Sequence, residues 1–289
     1  MINGVINVYK ESGMTSFDVV RKIKKIAATG KVGHTGTLDP MATGVLPICI
    51  GKATKLVDYI MGDYKVYRAE MKLGLKSDTL DIEGKILSER PVSCDEEQIR
   101  KEFEKFIGEI VQVPPMYSAL KVNGKRLYEL AREGKEVHRE GRTITIYNID
   151  IESIEIPYVR FKVKCSKGTY IRTLIDDIGE GLGTGAIMTS LERVESGEAF
   201  NISNSYTLEE IENSIEDKII SIEDSLRKYP EKRFTKEAKK LLVNGVKIGN
   251  PRLIGNVKEG ILYRVYVEDL FIGLGVKDSI GFKIEKLFL

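Results

Sequence analysis

The chain has 289 residues, of which 42% are hydrophobic and 30% are charged. This composition is typical of folded globular proteins and argues against a chain that is disordered throughout. The formal net charge is only +2, so binding of an acidic partner must depend on local basic surfaces and not on the total charge.

Neither a membrane span nor a secretory signal is predicted, because the apolar runs are short and no basic region precedes an apolar block near residue 1. Three widely spaced cysteines favour a reducing cytoplasm over a disulfide framework; they are Cys49, Cys94 and Cys165. With only His34 and His138 besides, no spacing typical of a metal site is present. We therefore expect a cytoplasmic monomer without cofactor or metal.

Helical periodicity recurs along the chain. Thr15 is predicted to cap a first helix, and Ser93 with Glu96 has the spacing of a capping box for a second helix. The apolar face of the first helix consists of Val19, Ile23 and Ile26, and that of the second consists of Ile99, Phe103, Phe106 and Ile107. A third helix is indicated by Tyr170, Leu174, Ile178 and Leu182. An acidic helical stretch is expected at 207–226 and a short helix at 235–243.

Strands are predicted where apolar and charged residues alternate, at 67–73 and 159–165. Such alternation is typical of half-exposed antiparallel strands. We expect an α/β (α+β) fold with a mixed, mainly antiparallel sheet flanked by helices. A boundary near 228–232 separates a large domain, 1–228, from a small β-rich domain, 229–289, with strands at 262–267 and 270–276.

The segment GHTGTLDPMATGVL at 33–46 is the densest in chemical information. Its glycines permit turns and close approach by another molecule. Asp39 precedes Pro40, which disfavours helical backbone and restricts how the carboxylate is presented. An Asp-Pro pair is also a common turn opener, so a purely structural Asp39 stays open at this point. The spacing from Gly44 to Lys52 does not fit a phosphate-binding P-loop.

Six segments along the chain form a recognisable set of motifs: KESGMTS at 10–16, GHTGTLDPMATGVLPICIGKATK at 33–55, KVYR at 65–68, SDTLD at 77–81, PMYSALK at 115–121 and CSKGTYIRT at 165–173. Together they resemble one known family, the TruB tRNA pseudouridine synthases that act at T-loop position 55. The resemblance covers residues 1–195 in order, and the end of the chain resembles a small PUA-type RNA-binding domain. Glu11 departs from the family pattern, which has proline there.

The resemblance implies three catalytic residues. Asp39 matches the catalytic aspartate, which can act as nucleophile or base. Tyr67 matches the tyrosine that stacks on the target base, although its position on an apolar strand face also fits core packing. Arg172 matches the arginine that pairs with the carboxylate, although a surface pair with Asp176 at i+4 is an alternative.

Four further residues are implied to handle substrate, each with a simpler structural alternative. His34 resembles a histidine that helps to extrude the nucleotide, and otherwise is a hydrogen-bonded loop histidine. Lys10 is expected at the Asp39 loop or at an RNA phosphate, and Asp81 is expected to hold Arg172 from its other side. Leu191 is expected to line the uracil pocket or the core.

The implied partner is tRNA, bound through its T-arm with the target nucleotide flipped out. Basic residues expected to contact phosphates or the acceptor stem, unless they form solvated surface, are Lys121, Lys125, Arg126, Arg132, Arg139 and Arg142, and Lys236, Lys239, Lys240, Lys247 and Arg252. Two other functions stay open: a non-catalytic RNA-binding protein or tRNA-folding chaperone, and a glycoside hydrolase with Asp39 as nucleophile and Asp81 as a second carboxylate.

Overall fold

The computed structural model describes residues 2–62, 64–122 and 124–288. The helices are α1 Ser16–Ile26, α2 Val57–Ile60, α3 Glu96–Glu104, α4 Leu127–Arg132, α5 Ile171–Gly181, α6 Leu208–Asn213, α7 Lys236–Val243 and α8 Pro251–Ile254. The strands are β1 Gly4–Lys10, β2 Val32–His34, β3 Thr43–Ile50, β4 Tyr64–Leu73, β5 Leu75–Ser77, β6 Ile86–Glu89, β7 Gly108–Gln112, β8 Lys121–Val122, β9 Lys125–Arg126, β10 Arg142–Glu155, β11 Tyr158–Ser166, β12 Ala186–Ser196, β13 Phe200–Asn201, β14 Glu231–Phe234, β15 Leu262–Val267, β16 Leu270–Lys277 and β17 Phe282–Leu287. Among these residues, no helix has both the length and the apolar character needed to span a membrane.

The large unit is built on one nine-stranded sheet in the order β1-β3-β12-β4-β11-β10-β7, with β2 beside β3 and β13 beside β12. All its pairs are antiparallel except the short contact between β3 and β12. The mixed, mainly antiparallel sheet that the alternating patterns predict is therefore confirmed.

Helices α1, α3 and α5 bury apolar faces against this sheet in one contiguous core. Phe103 of α3 meets Phe161 of β11 edge to face, with ring centroids 5.1 Å apart. Thr15 caps α1 as predicted, since its hydroxyl accepts from the Asp18 N–H and the Asp18 carboxylate accepts from the Thr15 N–H.

Two details of the helix predictions are wrong. Asp95, and not Ser93, caps α3: its carboxylate accepts from the Gln98 N–H, and the Gln98 amide oxygen accepts from the Asp95 N–H. The carboxylate is a charged acceptor at the positive end of the helix, which makes it the stronger cap. The helix then ends at Glu104, before Phe106.

The acidic stretch at 207–226 is also not one helix. It consists of α6 and two short 3-10 helices, Glu216–Lys218 and Asp224–Leu226. Serine side chains at the breaks bind locally, as where the Ser221 hydroxyl accepts from the Asp224 N–H. Such local bonds compete with the helical ladder.

The end of the chain forms a separate four-stranded sheet in the order β14-β15-β16-β17, with α7 and α8 beside it. Its own core includes Phe234, Leu242 and Phe282. Leu274 of β16 instead packs into a cluster of the large unit, and the Tyr266 hydroxyl donates to Glu223 at 2.7 Å. A small β-rich unit is present as predicted, while the exact boundary at 228/229 stays a prediction.

Candidate active site

The loop that carries Asp39 is held on both sides by residues 10–16, which run from the end of β1 to the start of α1. The Ser16 hydroxyl accepts from the Leu38 N–H at 2.8 Å and lies 3.1 Å from the Leu38 carbonyl oxygen. The Pro40 carbonyl accepts from the Lys10 ammonium at 3.1 Å and from the Gly13 N–H at 3.0 Å. The KESGMTS motif is thus the support on which the Asp39 carboxylate is presented.

Arg172, in the first turn of α5, reaches across to Asp39. Its Nε lies 2.9 Å from Oδ2 and its Nη2 lies 3.2 Å from Oδ1, which is a two-point contact. The Arg172 side chain is 7% exposed and that of Asp39 is 33% exposed. A planar guanidinium binding both oxygens fixes the orientation of the carboxylate while leaving part of it open.

The far side of Arg172 is held equally firmly. Nη1 donates to the Thr79 carbonyl at 2.9 Å and lies 3.5 Å from Oδ2 of Asp81, and Nη2 donates to the Tyr117 carbonyl at 2.8 Å. The surface pair with Asp176 is therefore wrong, because Arg172 turns into the protein and Asp176 faces Lys76 instead, at 3.8 Å.

Asp81 is buried and committed to structure. Its Oδ1 accepts from the Thr79 hydroxyl at 2.6 Å and from the Glu83 N–H at 3.1 Å. Burial raises the pKa of this carboxyl, while the Thr79 hydrogen bond and the Arg172 charge oppose the rise. With both oxygens directed to partners, Asp81 acts as a brace for Arg172.

A cavity of about 340 Å³ opens beside the Asp39 carboxylate. Tyr67, Leu191, Arg172 and Asp39 all line it. Tyr67 is 9% exposed and belongs to the core cluster as well, so its core-packing and pocket-lining alternatives both hold. Burial raises the pKa of the Tyr67 phenol and Arg193 opposes the rise, so the hydroxyl is protonated at neutral pH.

His34 and Lys10 lie near this cavity without lining it. His34 ends β2, half-buried, and its Nδ1 accepts from the Gly36 N–H at 3.2 Å. Burial, with Arg193 nearby, lowers the pKa of His34, which favours the neutral imidazole. Lys10 has no exposed surface, and burial lowers its pKa to about 8. Its ammonium donates to the Pro40 carbonyl of the Asp39 loop and to the Glu11 carbonyl. Lys10 therefore lies at the Asp39 loop and not at the protein surface.

The predicted basic surfaces are largely solvent-exposed and partly paired with carboxylates. Lys125 lies 3.3 Å from Glu133, and Arg139 lies 3.1 Å from Glu136. In the C-terminal unit, Lys247 lies 2.7 Å from Asp278. The exposed members of the two sets are Lys121, Lys125, Arg126, Arg132 and Arg142, and Lys236, Lys239, Lys240 and Arg252.

Two buried basic residues of the cavity wall are not among the site residues predicted from the sequence; they are Arg193 and Lys65. Both are buried, at 1% and 5% exposure, and both line the cavity. The signal for Arg193 is its position two residues after Leu191, which places both side chains on one face of a strand. Without that signal, a charged residue in a predicted strand is expected to point its side chain into solvent.

In the described ranges, no three His, Cys, Asp or Glu side chains are grouped so as to hold a metal ion. All three cysteines are free thiols, and burial raises the pKa of Cys49 and of Cys165 to about 12. Neither thiol is ionised at neutral pH.

Comparison with known proteins shows which family models and relatives the chain matches. Residues 24–171 match the model "TruB family pseudouridylate synthase (N terminal domain)", and residues 172–229 match "tRNA pseudouridylate synthase B C-terminal domain". The chain is 58% identical to tRNA pseudouridine synthase B of Clostridium novyi strain NT, over 100% of both chains. It is 56% identical to the protein of that name from Clostridium tetani strain Massachusetts / E88, again over 100% of both.

Solved structures agree in fold. A chain in the crystal structure of a Cbf5-Nop10-Gar1 complex is 31% identical, with a TM-score of 0.76, and the match covers 99% of this chain and 85% of that one. A chain in a structure of an H/ACA RNP bound to a substrate RNA containing 2'-deoxyuridine is 29% identical, with a TM-score of 0.75 and coverage of 99% and 85%.

Proposed function

The chain belongs to the TruB family of pseudouridylate synthases, and we propose that it converts uridine 55 in the T-loop of tRNA to pseudouridine, with Asp39 as the essential carboxylate. The observation that carries this proposal is the two-point contact of Arg172 with Asp39 at the wall of the cavity. It holds one partly open carboxylate in a fixed direction beside a tyrosine ring.

The reaction requires no external atom or electron donor. The N1–C1′ bond breaks, the uracil turns, a C5–C1′ bond forms, the C5 proton leaves to solvent and N1 takes up a proton. A fixed carboxylate serves any of three routes: attack on C1′, attack on C6 of the base, or removal of a ribose proton. Arg172 holds the Asp39 carboxylate in one orientation for each of them.

The neighbouring residues then have distinct roles. Tyr67 stacks on the base and presents a protonated hydroxyl, and Leu191 forms the apolar wall of the uracil pocket. Asp81 braces Arg172, and Lys10 holds the Asp39 loop through Pro40. His34, neutral and at the end of β2, assists extrusion of the nucleotide.

Hydrolysis is less well supported than isomerisation. Glycoside hydrolases use two carboxylates across the scissile bond. The candidate second carboxylate, Asp81, is 4% exposed, does not line the cavity and is occupied by Thr79, Glu83 and Arg172. Asp39 is thus the single available carboxylate among the cavity-lining residues described.

Binding of tRNA is assigned to the basic segments of both units. Lys121 directly follows the cavity-lining residues Ala119 and Leu120 in the chain, and we assign contact with phosphates of the T-arm to the exposed lysines and arginines at 121–142. The C-terminal unit, 229–289, is proposed as a PUA-like domain whose basic residues contact the acceptor stem. We further propose that the protein acts as a monomer in the cytoplasm.

The test is tritium release from T-arm RNA labelled at C5 of its uridines, with product mass measured in parallel. We expect release of one tritium per RNA with the RNA mass unchanged. No tritium should be released when uridine 55 is replaced by cytidine. Free uracil would support the hydrolase, and tight binding without release would support the chaperone. Release from the cytidine-55 RNA would contradict the assigned position.

A further inference from the structure

Arg193 is the largest side chain among the described residues that is almost wholly removed from solvent, at 1% exposure. Its Nε donates to the Val45 carbonyl at 2.7 Å, and its Nη2 donates to the Gly36 carbonyl at 3.2 Å. One guanidinium therefore joins β12 to β3 and to the loop that precedes Asp39.

This buried cation forms no ion pair with any carboxylate in the ranges 2–62, 64–122 and 124–288. An arginine cannot escape burial by losing its proton. Burying a charge without a counter-ion is energetically unfavourable. Packing alone does not account for such a residue at the cavity wall.

Tyr67 lies beside Arg193 in the sheet. The two residues are direct partners in the antiparallel ladder of β4 and β12, and both line the cavity. The Arg193 charge opposes the effect of burial on the pKa of the Tyr67 phenol, whereas Cys165 and Asp39 act in the same direction as burial. Of the charged groups that act on Tyr67, Arg193 has the largest effect.

We propose that Arg193 is a positioning residue of the reaction, which fixes the Tyr67 hydroxyl at the cavity wall and ties the Gly36 loop to β3. The inference rests on the proposed function, since it assigns a task within the same site. Gly36 is three residues before Asp39, so a shift of its carbonyl moves the carboxylate. A misplacement of about 1 Å can cost roughly 100-fold in rate.

Arginine is suited to this task by its shape. The planar guanidinium donates from two nitrogens to the carbonyls of Val45 in β3 and of Gly36 in the loop before Asp39, a fixed two-direction geometry that a single ammonium nitrogen does not provide. Gly44 permits the backbone of Arg193 to lie close to β3: its φ is +99°, and a Cβ there would lie 2.3 Å from the Arg193 carbonyl oxygen.

The test is a double-mutant cycle between Arg193→Met and Tyr67→Phe, followed by single-turnover tritium release and tRNA affinity. We expect Arg193→Met to lower the rate by roughly 100-fold in the Tyr67 protein and by less than about tenfold beside Tyr67→Phe, because contacting residues are coupled. The tRNA affinity should stay within about threefold, as expected for loss of an interaction made in the transition state.

Two controls make the cycle decisive. Arg160→Met removes an exposed arginine of β11 that pairs with Glu70 of the neighbouring strand β4, and it should change neither rate nor coupling. Arg193→Lys replaces Arg193→Met in the cycle if the methionine variant does not fold, and should recover part of the rate. If the reaction of the Tyr67→Phe variant is too slow to measure, the 13Cζ NMR resonance of Tyr67 is measured instead. It should shift with Arg193→Met and not with Arg160→Met.

Fully additive effects of the two substitutions, or an unmoved Tyr67 resonance, would overturn the role of Arg193 while leaving the proposed function intact. A wild-type protein that releases no tritium would overturn both. The two failures are thus distinguished by the wild-type reaction alone.

Discussion

Arg172 holds both carboxylate oxygens of Asp39, with Nε 2.9 Å from Oδ2 and Nη2 3.2 Å from Oδ1. The remaining donors of the same guanidinium are directed to Asp81 and to the carbonyls of Thr79 and Tyr117. A side chain with partners on every edge has little freedom to turn. The direction of the Asp39 carboxylate is therefore determined by its own loop, by Arg172 of α5 and by Asp81, which braces Arg172.

Arg172→Lys is the first test of this arrangement. A lysine keeps the charge but cannot bind both oxygens of Asp39 and two carbonyls at once. We expect kcat to fall by roughly 100-fold, comparable with the loss of one positioned transition-state donor, with little change in tRNA affinity. Single-turnover rates and filter binding measure the two quantities, and a lysine variant with wild-type kcat would contradict the argument.

Ser16→Ala tests the support of the Asp39 loop. The Ser16 hydroxyl bonds the Leu38 backbone within the protein interior, so its removal leaves a buried N–H without a partner and should cost about 1–3 kcal/mol of unfolding free energy. Denaturant unfolding measures this loss, and kcat should fall with it. Ser12→Ala changes an exposed position in the same motif and should alter neither stability nor kcat. Equal effects at both positions would contradict the role of Ser16 in supporting the Asp39 loop.

Lys10 predicts an unusual pH dependence of stability. Burial lowers its pKa from 10.5 to about 8 in the folded protein. Between these values the unfolded chain binds more protons than the folded one, so the unfolding free energy rises with pH in that window. Below pH 8 the lysine is protonated in both states and the cost of burying the charge is fully present.

The measurement is the unfolding free energy of wild type minus that of Lys10→Met, from pH 7 to about pH 10. Taking the difference removes the other titrating groups. We expect the difference to increase with pH above about 8. A difference that is constant, or that falls as pH rises, would show that the buried ammonium is not disfavoured.

The sequence predicts the sheet and the main site because their signals are local. Alternation in β4 and β11 follows from one buried and one open sheet face, and the GHTGTLDP segment identifies Asp39 through its long motif. The α3 cap was misassigned because Ser93 and Asp95 are both capping residue types within two positions. The two residue types cap helices about equally well, and the charge of Asp95 near the positive end of the helix favours it over Ser93.

Arg193 shows where sequence reasoning stops. Its neighbours in the site are Tyr67, Val45 and Gly36, which belong to other elements of the chain. Only the register of β12 against β4 and β3 brings them together, and two bulges shift that register along β12. A charged residue becomes recognisable as interior once those long-range pairings are known.

The most direct test of the account compares wild type with Asp39→Asn in single-turnover tritium release from C5-labelled tRNA, at saturating protein. Asparagine retains the size of the side chain and can accept one of the two hydrogen bonds from Arg172, but it has no negative charge with which to attack or to accept a proton. We predict release by wild type and none above background by Asp39→Asn, with tRNA affinity and unfolding midpoint close to wild type. Release by Asp39→Asn at a rate near that of wild type would contradict the central role of the Asp39 carboxylate.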